Sequence, residues 1–333
     1  MKALILAAGF GKRMRPITFN THKTLIKISN HRVIDRIIES LIKNKISDII
    51  VVTGYKHEEL VNHINNNFSN LNLTFIYNEK YETTNNIYSL SLAFEKHNID
   101  DDLILIESDL IFKPEIINIL LNSKFKNLAL VSPYKIGLDG TVVQIKDKKI
   151  ISIYPPHLQT TEFNLFDKYK TLNIYKFSKD FCINQFKNLL LYYTKSIDRN
   201  SYYELVLGII IYLQKETIYS EIVPNSLWTE IDDPNDLMVA RYLFDKKSRK
   251  TFLENTFGGY WNFDILDFCF IRNMYFPTDS MLSEIKNNLA PVLQNYGSNN
   301  NILNKKLSYV LEVDESNLVL LNGLSQIYPI LKS

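Results

Sequence analysis

Short apolar runs and amphipathic stretches alternate through the first 130 residues. The runs Ala3–Ala8, Ile49–Thr53, Leu73–Tyr77, Leu103–Glu107 and Leu128–Val131 are rich in Ile, Leu and Val. Such runs read as strands covered on both faces, as in a parallel sheet. Between them, apolar residues recur at helical spacing: Val33, Ile34, Ile37, Ile38, Leu41 and Ile42, then Leu60, Val61 and Ile64, then Ile87, Leu90 and Ala93. This repetition predicts a doubly wound α/β domain on a mixed, mainly parallel sheet. Ligands of such sheets bind beyond the carboxyl ends of the strands.

The pattern changes at residue 141. Thr141–Ile145 and Ile150–Ile153 flank the polar turn Asp147-Lys148-Lys149 and predict a hairpin inserted into the α/β frame. A strand at Thr171–Phe177, helices near 179–193 and 201–214, a strand at Ile218–Val223 and a helix from Pro234 to Phe244 complete the domain. Asp233-Pro234 is a helix start with proline at the first helical position. The charged stretch Asp245–Lys250 and the hinge-like Phe257-Gly258-Gly259-Tyr260 mark a boundary, dividing the chain into 1–248 and 249–333. The second part predicts helices near 279–293 and 301–311 and a short strand at Asn317–Leu321.

Composition narrows the classes. With 46% hydrophobic and 22% charged residues, the chain reads as globular rather than disordered or fibrous. A net charge of +2, without a basic run, argues against a nucleic-acid partner. Cys182 and Cys269 are isolated, which argues against zinc and for a reducing compartment. No stretch approaches the roughly 18 apolar residues of a membrane span, and Ala3–Ala8 is too short for a signal peptide. A cytoplasmic protein is therefore expected, and a homodimer is one arrangement the sequence allows.

The strongest chemical signal is Leu6-Ala7-Ala8-Gly9-Phe10-Gly11-Lys12-Arg13-Met14-Arg15-Pro16. A strand running into glycines brings backbone amides close to phosphate oxygens. Lys12, Arg13, Arg15 and Lys23 are cations able to neutralise a triphosphate. The Walker spacing is absent, and no acid ends the second strand at Val52-Thr53-Gly54-Tyr55, so the dinucleotide fingerprint fails as well. Two carboxylates can hold Mg²⁺ while leaving room for phosphate oxygens. Asp109, after the apolar Leu103–Glu107, is the first candidate, with Glu107 a further one. Glu230 and Asp232, two apart on one strand face, are the others. Either Asn85 or Asn86 could cap the next helix.

Gly9-Phe10-Gly11-Lys12-Arg13 followed by Lys23 resembles the nucleotidyltransferase superfamily of sugar-phosphate and phosphocholine enzymes. The resemblance implies the nucleotide-diphospho-sugar transferase-like fold. It implies catalytic roles for Arg13, Lys23 and Asp109, and metal ligation by Asp109, Glu230 and Asp232. It places the nucleotide against Leu6, Ala7, Ala8, Gly9, Gly11, Lys12, Arg13, Lys23, Gly54, Asn85, Asn86 and Ser89. Where the family usually carries proline before the lysine, this chain has His22, which puts the rigidity of the loop in question. Asn86-Ile87-Tyr88-Ser89-Leu90 is similar to the phosphocholine cytidylyltransferase version of the base-reading stretch, implying CTP. Tyr55, Tyr81, Tyr88, Tyr154 and Trp228 could surround a quaternary ammonium, whereas a primary amine would call for a carboxylate.

The stretches Asp139–Val143, Tyr154–Gln159, Asp167–Phe177 and Trp228–Leu237 resemble the cytidylyltransferase half of a cytidylyltransferase–aminotransferase fusion of phosphonate biosynthesis. Tyr275–Thr278, Asn295–Ser298 and Leu320–Gly323 resemble the opening of a fold-type I aminotransferase. The only lysine after Gly323 is Lys332, too early for the Schiff-base lysine of that fold, so the segment reads as a truncated aminotransferase portion. Neither transaminase activity nor pyridoxal phosphate is expected of this chain. The expected reaction joins CTP to 2-aminoethylphosphonate with Mg²⁺, giving CMP-2-aminoethylphosphonate and pyrophosphate. The alternatives are a phosphocholine or sugar-1-phosphate acceptor, or a non-catalytic nucleotide-binding regulator.

Overall fold

In a computed structural model of the chain, the run Ala3–Ala8 supplies all but the first residue of a central strand, β1 (Lys2–Ala7), and ends one residue beyond it; β1 pairs in parallel with β4 (Asp48–Thr53) and β6 (Leu103–Glu107). The structure describes residues 1–135, 137–160, 162–255, 263, 265, 273 and 275–331. Chain contacts divide it into two units, Met1–Leu266 and Asp267–Ser333. The expected hinge at Phe257–Tyr260 and Cys269 lie outside the described residues.

The first unit carries, in chain order, β2 (Lys27–Ile28), β3 (His31–Arg32), β5 (Asn72–Tyr77), β7 (Leu110–Phe112), β8 (Leu128–Pro133), β9 (Val142–Lys146), β10 (Lys149–Tyr154), β11 (Tyr169–Phe177), β12 (Tyr219–Ile222) and β13 (Trp228–Glu230) besides those named above. The main sheet has the order β5-β4-β1-β6-β11-β8-β12-β10-β9. It is parallel from β5 to β6; β11 then runs antiparallel to both β6 and β8. Side chains alternate across the sheet plane. In β1, Ala3, Ile5 and Ala7 enter one core layer, and Leu4 and Leu6 the other.

Helices cover both layers. Val33–Lys43 packs Val33, Ile34, Ile37, Ile38 and Leu41 into the first layer; Ile42, counted in the apolar series, is 42% exposed because it lies off that stripe. Asn86–Lys96 and Glu204–Tyr212 serve the second layer through residues such as Ile87, Leu90, Val206 and Leu207. The expected hairpin is β9–β10. Its two turn residues, Asp147 and Lys148, both have positive φ (51° and 63°), matching the right-handed strand twist. These features make up the doubly wound α/β fold with an inserted hairpin.

In the second unit the helices Asp279–Gln294 and Asn300–Leu311 form close to their expected bounds, capped by the side chains of Thr278 and Asn299. The expected strand Asn317–Leu321 does not form. Residues 315–317 make a single 3₁₀ turn, and no strand among the described residues pairs with residues 318–321. The Leu320 N–H instead donates to the Asn304 side chain at 2.9 Å. Among the described residues, no helix is long and apolar enough to cross a membrane.

Candidate active site

β1 stops where its glycines begin. Gly11 has φ +61°, and a Cβ there would meet the Thr18 methyl at 3.2 Å, so glycine suits both the backbone and the space. The Thr18 hydroxyl donates to the Gly11 carbonyl at 2.8 Å, and buried Met14 anchors the following turn. A Cβ on Gly54 would stand 2.6 Å from the Ala8 carbonyl oxygen, so bare backbone from the end of β4 backs this loop.

His22 replaces the stiffening expected of proline by other means. Its Nδ1 accepts the Thr24 N–H at 3.2 Å, capping the turn Lys23–Leu25, and its Nε2 lies 3.1 Å from the Ala7 carbonyl. The ring is 1% exposed, and burial lowers its pKa to about 4. A neutral Nε2–H tautomer satisfies both contacts, so the loop holding Lys23 is tied to the end of β1.

Lys23 delivers its ammonium between two carboxylates, 3.1 Å from Asp109 Oδ2 and 2.8 Å from Asp232 Oδ1. Arg13 reaches Asp232 Oδ2 at 2.9 Å and Asp139 at 2.7 Å. Burial works against the Lys23 charge, but Asp109 and Asp232 outweigh it and raise the Lys23 pKa. Burial opposes the Asp232 charge too, and there Lys23 and Arg13 prevail and lower its pKa. The Ile231 N–H donates to the Asp109 carbonyl at 2.8 Å, which aligns the two acid-bearing segments. Asp233 caps the helix Pro234–Phe244 in a capping box with Asp236, leaving the Asp232 carboxylate to the site.

Among the described residues, Asp139, Glu230 and Asp232 place carboxylate oxygens within 4.8 Å of one another. Glu230 pairs with Lys170, and burial, outweighing that pairing, raises it to about 8. Asp109 Oδ1 is buried without a partner. The group is all oxygen, as a hard divalent cation requires, but it holds Asp139 where the sequence led one to expect Asp109 beside Glu230 and Asp232.

A cavity of about 570 Å³ opens over these groups. Leu6, Ala8, Gly9, Gly11, Arg13 and Lys23 line it from the first loops, and Asn85, Asn86 and Ser89 from the next helix. Ala7, Lys12 and Gly54 do not line it: Ala7 holds His22, Lys12 lies over the Phe10 ring and Gly54 supports Ala8 from behind. Asn85 is the helix cap. Asn86 donates to Glu107 at 3.0 Å and accepts from the Tyr203 N–H at 3.1 Å. The five aromatics do not converge. Tyr55 and Tyr81 cluster with Phe10, while Tyr154 packs on Phe163 and Trp228 is buried in the core.

The nucleotidyl transferase family matches residues 2–135. CTP:phosphoglutamine cytidylyltransferase of Campylobacter jejuni is 30% identical over 256 residues, covering 72% of this chain and 98% of that protein. The chain belongs to the nucleotidyltransferase family. CMP-5'-(3-aminopropyl)phosphonate synthase of Streptomyces rubellomurinus is 24% identical across 99% of this chain, which spans 53% of that relative's length. CTP:phosphocholine cytidylyltransferase of Streptococcus pneumoniae shares the fold with a TM-score of 0.59 at 22% identity, covering 71% of this chain and 95% of that one.

Asp139, Lys170, Asn173 and Glu204 also line the cavity, and the sequence pattern singles out none of them as a site residue. Lys170 and Glu204 do leave a trace, a charge set beside the apolar run of a strand and of a helix. Asn173 leaves none. Its positive φ of 57° coincides with the register shift in β11 between Thr171 and Tyr175.

Proposed function

We propose that the chain is a Mg²⁺-dependent cytidylyltransferase that transfers CMP from CTP to a small aminophosphonate such as 2-aminoethylphosphonate. An acceptor phosphonate oxygen attacks the α-phosphorus. The bond from that phosphorus to the β-bridging oxygen breaks, and pyrophosphate leaves with the electron pair. The observation that carries this reading is the convergence of Arg13, Lys23, Asp109 and Asp232 at the strand ends, beside the glycine loop.

Asp109 and Asp232, with Asp139 close by, would hold the metal ion, which supplies charge neutralisation for the phosphates. Arg13 and Lys23 stabilise charge on the transferring and leaving groups. The Gly9–Gly11 backbone admits the triphosphate closely, and the Asn85–Ser89 turn faces the base. Catalysis is positioning plus electrostatics, without a covalent intermediate. The aminophosphonate acceptor draws support from the Streptomyces relative, whose name specifies an aminopropylphosphonate product and whose likeness extends across 99% of this chain. The division into 1–248 and an aminotransferase-like 249–333 rests on the sequence motifs alone, Tyr275–Thr278, Asn295–Ser298 and Leu320–Gly323.

The test is pyrophosphate release from CTP and Mg²⁺ with 2-aminoethylphosphonate, 3-aminopropylphosphonate, phosphocholine and glucose 1-phosphate in parallel. Turnover with an aminophosphonate at the highest kcat/KM is expected. No turnover with either aminophosphonate refutes the acceptor, and no release with any of the four refutes the cytidylyltransferase reading.

A further inference from the structure

The cations of the pocket are unevenly shared. Arg13 and Lys23 take Asp109, Asp139 and Asp232, and Lys170 takes Glu230 and the Thr171 carbonyl. Two further carboxylates line the same cavity, Glu107 at the end of β6 and Glu204 in the first turn of Glu204–Tyr212. Among the described residues, neither has an ion-pair partner within 4 Å. Glu204 is 2% exposed. Its Oε1 accepts from the Thr141 hydroxyl at 3.2 Å, while Oε2 is buried with no partner. A buried carboxylate oxygen left unpaired costs stability unless something satisfies it.

These carboxylates flank Asn86, which donates to Glu107 at 3.0 Å and accepts the N–H of Tyr203, the residue before Glu204, at 3.1 Å. The base-facing segment Asn78–Ser89 follows β5, on the β1 side of β6. Lys170, Thr141 and Glu204 come from β11, the start of β9 and the helix after β11, on the other side. Asp109 and Lys23 stand between. A molecule attacking the α-phosphorus from the β11 side of Asp109 and Lys23 therefore extends towards Glu204.

We propose that Glu204, together with Glu107, receives the ammonium group of the acceptor and so selects a primary amine carried on a short phosphonate. The inference rests on the aminophosphonate reading given above. An –NH₃⁺ group supplies what Glu204 Oε2 lacks: a donated hydrogen bond and a positive charge in one small group. A quaternary ammonium supplies the charge but no hydrogen bond to Glu204.

The experiment is steady-state kinetics of the full chain and of Glu204→Gln, which keeps the shape and removes the charge. KM is read separately for 2-aminoethylphosphonate and for CTP. KM for the acceptor rises roughly tenfold or more, the loss expected for one buried charge-assisted hydrogen bond. KM for CTP stays within about twofold. Circular dichroism melts check the fold, and if Glu204→Gln does not fold, Glu204→Asp, which keeps the charge but withdraws it from the amine, carries the same measurement. An unchanged acceptor KM, a rise in CTP KM instead, or a wild-type preference for phosphocholine over 2-aminoethylphosphonate overturns the inference. Absence of wild-type turnover with any aminophosphonate defeats the underlying function, a different outcome from wild-type turnover that Glu204→Gln leaves intact.

Discussion

His22 makes the fold of the phosphate loop measurable. Its ordinary pKa of 6.5 falls to about 4 through burial, reinforced by the charges of Lys23 and Lys56. Protonation would place a hydrogen on Nδ1, which already accepts the Thr24 N–H. The folded state therefore resists a proton that the unfolded chain accepts. That sets the sign: a depressed folded pKa gives stability that is full above pH 6.5 and lost as the pH falls towards 4. The whole difference, from 6.5 to about 4, is worth about 3 kcal/mol at 1.36 kcal/mol per unit. By pH 5.5 roughly 1.4 kcal/mol is gone. Urea unfolding of the wild type and of His22→Gln at pH 7.5 and 5.5 isolates the contribution, because the variant cannot titrate there. The stability gap between the two proteins should narrow by about 1.4 kcal/mol on acidification. A gap that stays constant would refute the argument that burial keeps His22 neutral.

Asp109→Asn should lower kcat for pyrophosphate release by a hundredfold or more (roughly 10²–10³, as for other groups that stabilise charge in transfer) while leaving the melting temperature nearly unchanged. Gly54→Ala should destabilise the first unit by about 1–3 kcal/mol, because the added methyl meets the Ala8 carbonyl and Tyr81; equal stability in urea melts would contradict that contact. Asp233→Ala removes the capping box of Pro234–Phe244 and should cost about 1 kcal/mol in the same melts.

Local patterns carried much of the fold into the sequence. β1, β4 and β6 were legible because both their faces are buried, leaving unbroken apolar runs. The helix Pro234–Phe244 was legible because its cap and first-turn proline are adjacent in sequence. The loop Gly9–Arg13 and the acids Asp109 and Asp232 lie just after the strands that aim them. The features that escaped depend on distant partners. The antiparallel placement of β11 between β6 and β8 is set by pairing across the sheet, and a strand alone does not declare its neighbours. Lys170 meets Glu230 sixty positions away, and Arg13 meets Asp139 across 126. Asn317–Leu321 misled for the opposite reason: its apolar residues suit a strand, but no described strand pairs with it.

The ion pairs of Lys23 also limit how the metal and the nucleotide can bind. Lys23 holds Asp109 and Asp232 at 3.1 and 2.8 Å, and Arg13 shares Asp232. A divalent cation on those carboxylates competes with both side chains. On the proposed reading, Lys23 and Arg13, once displaced, would neutralise the triphosphate, whose charge the acid-rich cavity would otherwise repel. Metal and nucleotide should therefore bind cooperatively, and Lys23 should oppose the metal when no nucleotide is present. Lys23→Met tests this directly: Mn²⁺ titrated into the variant without CTP should bind on the order of tenfold more tightly, the equivalent of roughly 1.4 kcal/mol of ion pairing no longer lost. Pyrophosphate release by the same variant should fall by two or more orders of magnitude, since the freed charge is the one the triphosphate needs, roughly the scale of losing one group that stabilises transfer. Equal Mn²⁺ affinity in the two proteins would mean that Lys23 does not compete for the carboxylates, and the coupling would have to arise elsewhere.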